Sequence, residues 1–273
     1  VTFIFHPAEE GPPPGAEGGA ELMVKEGVLT NPDVDAIFGL HISSKSTAGQ
    51  VLLKPGSIMA AVDEFRIDLT GVQTHGSTPW TGIDPIVTAS QMINSIQTIV
   101  SRSMPLTTAA AVVTIGSIHG GVRSNIIPEK LYMLGTIRTL DNSMRATVLK
   151  RLDKIVQNVA AANNVTADVT FMNSYPVTYN DPELYEKMLP TLKRVCGADN
   201  VNYMDAITGA EDFSFFQKEV PGVYFFIGGS SEGMDLDKVA PHHTPDFYVD
   251  DSALETGVIS MTSLTIDYFT KGL

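Results

Sequence analysis

The chain has 273 residues, of which 43% are hydrophobic and 18% are charged. This composition suits one or two packed domains and is too poor in charge for a disordered protein. With 31 acidic and 18 basic residues, the net charge of −13 argues against a protein that binds a nucleic-acid backbone or an anionic lipid surface. A single cysteine, Cys196, excludes an intramolecular disulfide framework and a cysteine-rich zinc module. No run of about 18 apolar residues predicts a transmembrane helix.

The first part of the chain alternates strand and helix patterns. Residues 2–5 form a short apolar run that Pro7 ends, and residues 17–28 have apolar side chains at helical spacing. Residues 35–42 and 50–53 are rich in strand-forming residues. Short strands that alternate with helices indicate a layered α/β domain.

The middle of the chain predicts a βαββαβ unit. Four runs have the alternation or β-branched composition of strands: residues 63–70, 110–118, 130–138 and 165–171. Helical patterns separate them after Asp84, with Pro85 at the first helical position, and after the predicted capping residue Ser143. This order of elements is the ferredoxin-like split unit.

The last part of the chain returns to an α/β pattern, with helices predicted over 182–195 and 252–269 and a strand over 222–227. We therefore predict an α/β domain that carries a compact insert. Its predicted segments are residues 1–60, then the inserted unit at 61–172, and then residues 173–273.

Two adjacent carboxylates, Glu9 and Glu10, follow the first predicted strand, where sites in α/β folds usually form. Neighbouring side chains on an extended chain point opposite ways. One carboxylate could bind a metal ion while the other acts as a general base on a nearby water. Taken alone, the pair fits a solvated turn better than a site.

The histidines are further candidates, because histidine is the commonest zinc ligand. His41 is predicted to end a strand, His242 and His243 precede a proline-containing loop, and His75 lies in a small turn of the insert. Each of them also fits a hydrogen-bonded surface histidine. His6 is expected to pack beside the site or to support its neighbours.

Asn125 and Arg138 form a pair suited to an anionic carboxylate, since arginine offers a bidentate fork. A structural salt bridge explains Arg138 equally well. Glu211 and Asp212 precede a predicted helix and are interpreted as capping residues, whose charge suits the helix dipole.

Together and in this order, these motifs resemble peptidase family M20. Within it, they resemble the amidohydrolase subfamily of hippurate hydrolases, N-acyl-amino-acid amidohydrolases and auxin-conjugate hydrolases. The matching segments are His6-Pro-Ala-Glu-Glu10, Gly39-Leu-His41, His75 to Pro79, Gly82-Ile-Asp-Pro85, Asn125-Ile-Ile-Pro128, Gly135-Thr-Ile-Arg-Thr139, Gly209-Ala-Glu-Asp-Phe213 and His243-Thr-Pro-Asp-Phe247. The resemblance implies a zinc-peptidase-like α/β catalytic domain. It also implies a ferredoxin-like lid, which agrees with the βαββαβ pattern.

The resemblance implies a centre of two divalent metal ions: zinc, manganese, cobalt or nickel. Glu10, His41 and His243 would be metal ligands. Glu9 would be the general base that activates a metal-bound water and later protonates the leaving amine.

For the insert, the resemblance implies roles in substrate binding and in dimerisation. His75 would steady the tetrahedral oxyanion, often in the active site of a partner subunit. Asn125 and Arg138 would hold the free carboxylate of the substrate. A homodimer through the lid is expected.

One departure from the subfamily concerns the ligand set. There, a Cys-Gly-His-Asp-type segment precedes the Pro-Ala-Glu-Glu motif and supplies two further ligands, whereas here Val1 starts the sequence and Cys196 lies elsewhere. We expect this sequence to be a fragment or a processed product that keeps three of five ligands, with at most partial metal occupancy and weak activity. His6 stands where relatives commonly have glutamine.

The predicted function is the metal-dependent hydrolysis of the amide bond in N-acyl amino acids or similar conjugates. The alternatives are an M20 dipeptidase or carboxypeptidase, and a non-catalytic homologue that dimerises through the lid. No nucleic-acid or membrane partner is expected. A cytoplasmic location is predicted, with a periplasmic or secreted one left open.

Overall fold

The computed structural model of the protein describes residues 1–13 and 15–271, apart from the side chain of Asn173. The last two residues of the predicted segment 173–273 lie outside the described residues. The chain divides into two compact units. The two-segment unit comprises Val1–Met59 with Thr178–Leu273, and the inserted unit comprises Ala60–Val177.

The predicted α/β class is confirmed by mixed sheets and helices. Strands in the described residues are β1 Ile37–Thr47, β2 Val51–Leu53, β3 Gly56–Met59, β4 Ala61–Thr70, β5 Thr74–His75, β6 Ala111–Gly120, β7 Ile126–Ile127, β8 Lys130–Thr139, β9 Thr166–Tyr175, β10 Thr178–Asn180, β11 Val201–Tyr203 and β12 Gly222–Ser230. The α-helices are α1 Gly19–Lys25, α2 Pro85–Ser103, α3 Asn142–Ala162, α4 Pro182–Cys196, α5 Ser214–Glu219 and α6 Ser252–Thr270. None of the helices in the described ranges combines the length and the apolarity that a membrane crossing requires.

The inserted unit has the predicted βαββαβ order. Its antiparallel sheet runs β6-β8-β4-β9. Alternate residues of β4, among them Phe65, Ile67 and Leu69, form one core with apolar residues of α2 and α3. Because β9 continues to Tyr175, the boundary predicted after residue 172 falls inside a strand.

The caps of the two long helices differ in how well the sequence predicts them. Asp84 begins α2 as expected, because its side chain accepts from the backbone N–H groups of Ile86 and Val87. The prediction that Ser143 caps α3 is wrong. Asp141 is the capping residue, with Oδ1 2.8 Å from the backbone nitrogen of Met144, and Ser143 Oγ donates to the same carboxylate.

In the two-segment unit, the sheet order is β1-β12-β2-β11. Strand β12 is buried along its whole length, as expected for a strand covered on both faces. Val223, Phe225 and Ile227 pack in a core with residues of α4 and α6. Tyr224 and Phe226 point the other way, into a core that includes residues of α1 and α5.

The predicted strand over residues 2–5 is wrong. Strand pairing requires a neighbouring strand to receive its backbone hydrogen bonds, and no described strand pairs with this run. Phe3 and Phe5 are 80% and 88% exposed, whereas Ile4 packs against the core beside α1 and α5. The apolar run therefore supplies one side chain to the core but forms no strand.

A short antiparallel pair lies where the chain leaves and re-enters the two-segment unit. Met59, the last residue of β3, is opposite Thr178, the first residue of β10. In the inserted unit, Val62 of β4 is opposite Tyr175 of β9. The first and last strands of the insert are thus neighbours.

Candidate active site

Glu9 is a half-buried carboxylate that follows a left-handed turn of the backbone. Ala8 has a φ of 61°, an uncommon conformation for a residue other than glycine. Burial raises the pKa of Glu9 to about 7, and the nearby carboxylates of Glu211, Asp212 and Glu10 act in the same direction. The backbone N–H of Asp212 donates a hydrogen bond to Glu9 and opposes these effects. Glu9 can therefore exchange a proton near neutral pH.

Glu211 is buried beside Glu9, with only 4% of its surface exposed. Its Oε2 accepts from the Tyr224 hydroxyl at 2.6 Å, and its Oε1 accepts from the backbone N–H of Phe213 at 3.2 Å. Burial raises the pKa of Glu211, and these hydrogen bonds oppose that rise. Burial also raises the pKa of Tyr224, so this hydroxyl keeps its proton and remains a donor.

Asp212 is also buried and joins three parts of the chain. Its Oδ1 accepts from His6 Nε2 at 2.8 Å, and its Oδ2 accepts from the backbone N–H of Ala20, in the first turn of α1, at 2.6 Å. The hydrogen bond to Asp212 raises the pKa of His6, although burial opposes the rise. Within the described ranges, His6, Glu211 and Asp212 form the one group of three whose ligand atoms lie within 4.8 Å of one another.

The interpretation of Glu211 and Asp212 as caps of the helix that follows them is wrong. Helix α5 begins after Phe213 and has no side-chain cap. Glu211 instead bonds Tyr224, and Asp212 bonds the first turn of α1. Their partners are distant in sequence, which is why a local pattern could not predict them.

The predicted ligands Glu10 and His243 lie together on the surface. Glu10 Oε1 is 3.4 Å from His243 Nδ1, and the two side chains are 71% and 72% exposed. His243 has a φ of 63°, so a second left-handed residue adjoins the site. The His243 ring also lies 6.5 Å from that of His242.

His41 lies in the middle of β1, since the strand continues six residues beyond its predicted end, to Thr47. Its Nδ1 donates to the backbone carbonyl of Ile42 at 2.6 Å, which leaves Nε2 as the nitrogen available to a metal ion. The His41 ring lies 5.2 Å from that of His242, whose Nε2 is 3.4 Å from the backbone nitrogen of Ser44. Burial and the neighbouring histidines lower the pKa of His242.

In the inserted unit, the structure brings His75 and Asn125 together. His75 in β5 is paired with Ile126 in β7, and the backbone N–H of Gly76 donates to the carbonyl of Asn125 at 2.8 Å. Both side chains are exposed. His75 Nδ1 accepts from the backbone N–H of Ser77 at 3.1 Å, so the ring carries its hydrogen on Nε2. The imidazole thus offers a donor to an oxygen atom.

Arg138 belongs to a different sheet of the same unit. It lies in β8 next to the buried Ile137, so its side chain is on the face opposite the helices. Arg138 is half-buried, and burial lowers the pKa of its guanidinium while Glu64 raises it. It remains a cation at any ordinary pH.

Residues 1–267 match the family described as peptidase family M20/M25/M40. The chain belongs to peptidase family M20. The resemblance seen in the sequence motifs is thereby confirmed, and the M20 match extends over both units.

Members of the family that are similar to this chain carry the names of different activities. Thermostable carboxypeptidase 2 of Saccharolobus solfataricus is 36% identical over 272 residues, which cover 99% of this chain and 66% of the relative. N-acetyldiaminopimelate deacetylase of Priestia megaterium is 36% identical over 244 residues, or 89% of this chain and 63% of the relative. The crystal structure of the Bacillus subtilis YXEP protein, a dinuclear metal binding peptidase from this family, has a TM-score of 0.73 at 28% identity and covers 97% of this chain and 64% of that one. The chain thus spans about two thirds of the length of these relatives.

Proposed function

We propose that the protein is a metal-dependent amidohydrolase that cleaves the amide bond of N-acyl amino acids with a metal-activated water. The observation that carries this proposal is the position of Glu9. Its carboxylate is held by the backbone N–H of Asp212, and the next residue, Glu10, contacts His243. A proton acceptor directly beside ligand-type side chains is the arrangement that water activation requires.

The donor set fits a divalent metal ion. Glu10 offers a carboxylate, His41 offers Nε2, and His243 lies 3.4 Å from Glu10. Nitrogen and oxygen donors suit zinc, manganese, cobalt and nickel. We propose that these three residues belong to a two-metal centre, in line with the dinuclear relative. Such a centre lowers the pKa of water and polarises the scissile carbonyl.

This chain's own residues then have distinct tasks. Glu9 takes the proton of the attacking water and later gives it to the leaving amine. The Nε2–H of His75 donates to the oxygen that becomes negative in the tetrahedral state. Asn125 and Arg138 bind the free carboxylate of the amino-acid half, for which the guanidinium supplies a bidentate partner. We further propose a homodimer through the inserted unit and a cytoplasmic location, which agrees with the single cysteine.

A carboxypeptidase is the second candidate function, because a relative with that name is 36% identical over nearly the whole chain. Both activities hydrolyse an amide next to a free carboxylate, and the same residues would serve both. They differ in the half that precedes the scissile bond, which is an acyl group in one case and a peptide in the other. A non-catalytic homologue that dimerises through the insert is the third.

The test compares the turnover of different substrates by the protein reconstituted with zinc or manganese. We expect N-acetyl and N-benzoyl amino acids to be hydrolysed faster than dipeptides or blocked peptides. Faster turnover of peptides would favour the carboxypeptidase. Turnover of neither class, together with no bound metal by elemental analysis, would favour the non-catalytic homologue.

A further inference from the structure

A buried tyrosine–glutamate pair beside Glu9 has no part in the function proposed above. Tyr224 and Glu211 are each 4% exposed, and their hydroxyl–carboxylate hydrogen bond measures 2.6 Å. Among the described side chains, no lysine or arginine forms a salt bridge with Glu211. Burying a carboxylate without a lysine or arginine partner costs free energy, which the hydrogen bonds to Glu211 help to offset.

Glu211 fixes a turn whose central N–H faces Glu9. Its Oε1 accepts from the N–H of Phe213, and its backbone oxygen accepts from the N–H of Ser214 at 3.3 Å. The intervening N–H, that of Asp212, donates to the Glu9 carboxylate. The side chain of Glu211 thus fixes the peptide unit that follows the Asp212 N–H, and the backbone oxygen of Glu211 closes the same turn.

Tyr224 is itself held firmly. Its backbone N–H donates to Asn180 Oδ1 at 2.6 Å, and Asn180 Nδ2 donates back to its carbonyl at 2.8 Å. Its ring lies 5.0 Å from that of Phe213. Both rings pack directly against Gly39. A Cβ added at Gly39 would lie 2.7 Å from a ring carbon of Phe213 and 2.9 Å from one of Tyr224. Glycine in the Gly39-Leu-His41 motif therefore gives these rings their space.

We infer that Tyr224 and Glu211 are positioning residues for Glu9, because the tyrosine hydroxyl orients the Glu211 carboxylate, which in turn holds the Asp212 N–H on Glu9. The inference rests on the proposed function, in which Glu9 is the general base. Without the hydroxyl, Glu211 loses a partner and the turn can rotate its N–H away. A displacement of about 1 Å at a reacting group can cost a hundredfold in rate.

The test compares Tyr224→Phe with Tyr185→Phe in the metal-loaded protein. Tyr185 is a buried tyrosine of α4 in the other core of the same unit. We expect Tyr224→Phe to lower kcat by roughly 10–100-fold, with KM changed by about twofold or less and metal content unchanged. Tyr185→Phe should retain the wild-type kcat. Equal values of kcat for the two variants would overturn the inference.

Variants of Glu211 separate orientation from general damage. Glu211→Gln keeps an oxygen that can accept from Tyr224 or from the N–H of Phe213, whereas Glu211→Ala removes both bonds. We expect kcat of the glutamine variant to exceed that of the alanine variant by about tenfold or more. Equal loss in both would contradict a role in orientation.

A readout without turnover distinguishes this inference from the proposed function. Amide hydrogen exchange at Asp212 reports its bond to Glu9 whether or not the protein hydrolyses any substrate. We expect this amide to exchange faster in Tyr224→Phe than in the wild type or in Tyr185→Phe. Faster exchange in a protein that hydrolyses none of the substrates would support the series of hydrogen bonds from Tyr224 to Glu9 and would refute the proposed function. Unchanged exchange in an active protein would refute only the positioning role of Tyr224 and Glu211.

Discussion

The site has two halves that are held in different ways. In the carboxylate half, formed by His6, Glu9, Glu211, Asp212 and Tyr224, the side chains are buried or half-buried and have short hydrogen bonds to distant parts of the chain. In the histidine half, formed by Glu10, His41, His242 and His243, Glu10 and His243 are each more than 70% exposed and lie 3.4 Å apart. The fold therefore holds Glu9, the proposed general base, without a metal ion, whereas metal binding would order the exposed pair of proposed ligands.

Glu9→Gln tests the carboxylate half and has the largest expected effect. We expect kcat to fall by about 10³-fold or more, because the proton acceptor is lost while the neighbouring ligands remain. Metal content, measured by elemental analysis, should be unchanged. Glu17→Gln, a change at an exposed glutamate outside the site, is the matched control. Wild-type turnover in Glu9→Gln would remove Glu9 from its assigned role.

The histidine half is tested by His243→Ala. If His243 is a ligand as proposed, metal affinity should fall by roughly 10–100-fold, with activity partly restored by excess metal. Titration with zinc followed by elemental analysis measures the change. His119→Ala, at an exposed histidine of the inserted unit, should bind metal as the wild type does. An unaltered affinity in His243→Ala would exclude it as a ligand.

Arg138→Ala tests whether the substrate carboxylate binds to the inserted unit, whose residues belong to neither half of the site. We expect KM for N-acyl amino acids to rise by about tenfold, since a charge-assisted hydrogen bond is lost, and kcat to change little. Substrates with an amidated carboxyl group should show no such rise. Arg66→Ala is the control, because Arg66 lies in the same sheet and is already paired with Asp68 at 2.6 Å. The same rise in KM for amidated substrates would contradict a carboxylate clamp.

The smallest expected effect concerns the stability of the metal-free protein. Folding raises the pKa of Glu9 from 4.5 to about 7, so the folded state binds this proton more tightly than the unfolded state. The stabilisation is complete below pH 4.5 and is lost as the pH rises through 7. Glu9→Gln should therefore match the wild type in melting temperature at pH 4 and exceed it by about 2–4 °C at pH 8. A constant difference across this range would show that the pKa of Glu9 is not raised.

The two units differ in how far their sequences predict them. In the inserted unit, helix and strand periods are regular, and the predicted βαββαβ order is the observed one. The misplaced cap at Ser143 is an error of two residues, because Asp141 is an equally good capping residue. The strand predicted over residues 2–5 is wrong for a different reason, since an apolar run cannot supply a strand to pair with.

For the site, the sequence identified residue types but not their contacts. The Glu10–His243 contact joins two residues that the motifs had singled out. The roles assigned to Glu211 and Asp212 were wrong, because the partners of these residues lie 13 residues away at Tyr224 and 206 residues away at His6. Tyr224 lies in an apolar strand, and no motif marks it as part of a site. The one sequence feature that could have drawn attention to it is its hydroxyl, which needs a hydrogen-bond partner when it is buried.

The pairing of β3 with β10 places the two ends of the inserted unit side by side. The chain leaves the two-segment unit at Met59 and returns at Thr178, and these residues are cross-strand neighbours. Val62 and Tyr175 are cross-strand neighbours in the insert as well. Each unit therefore has its two junction points side by side, as domain insertion requires. A two-residue Asn-Gly turn in place of residues 60–177 would therefore close β3 and β10 into a β-hairpin. The inserted unit occupies the position of that hairpin's turn.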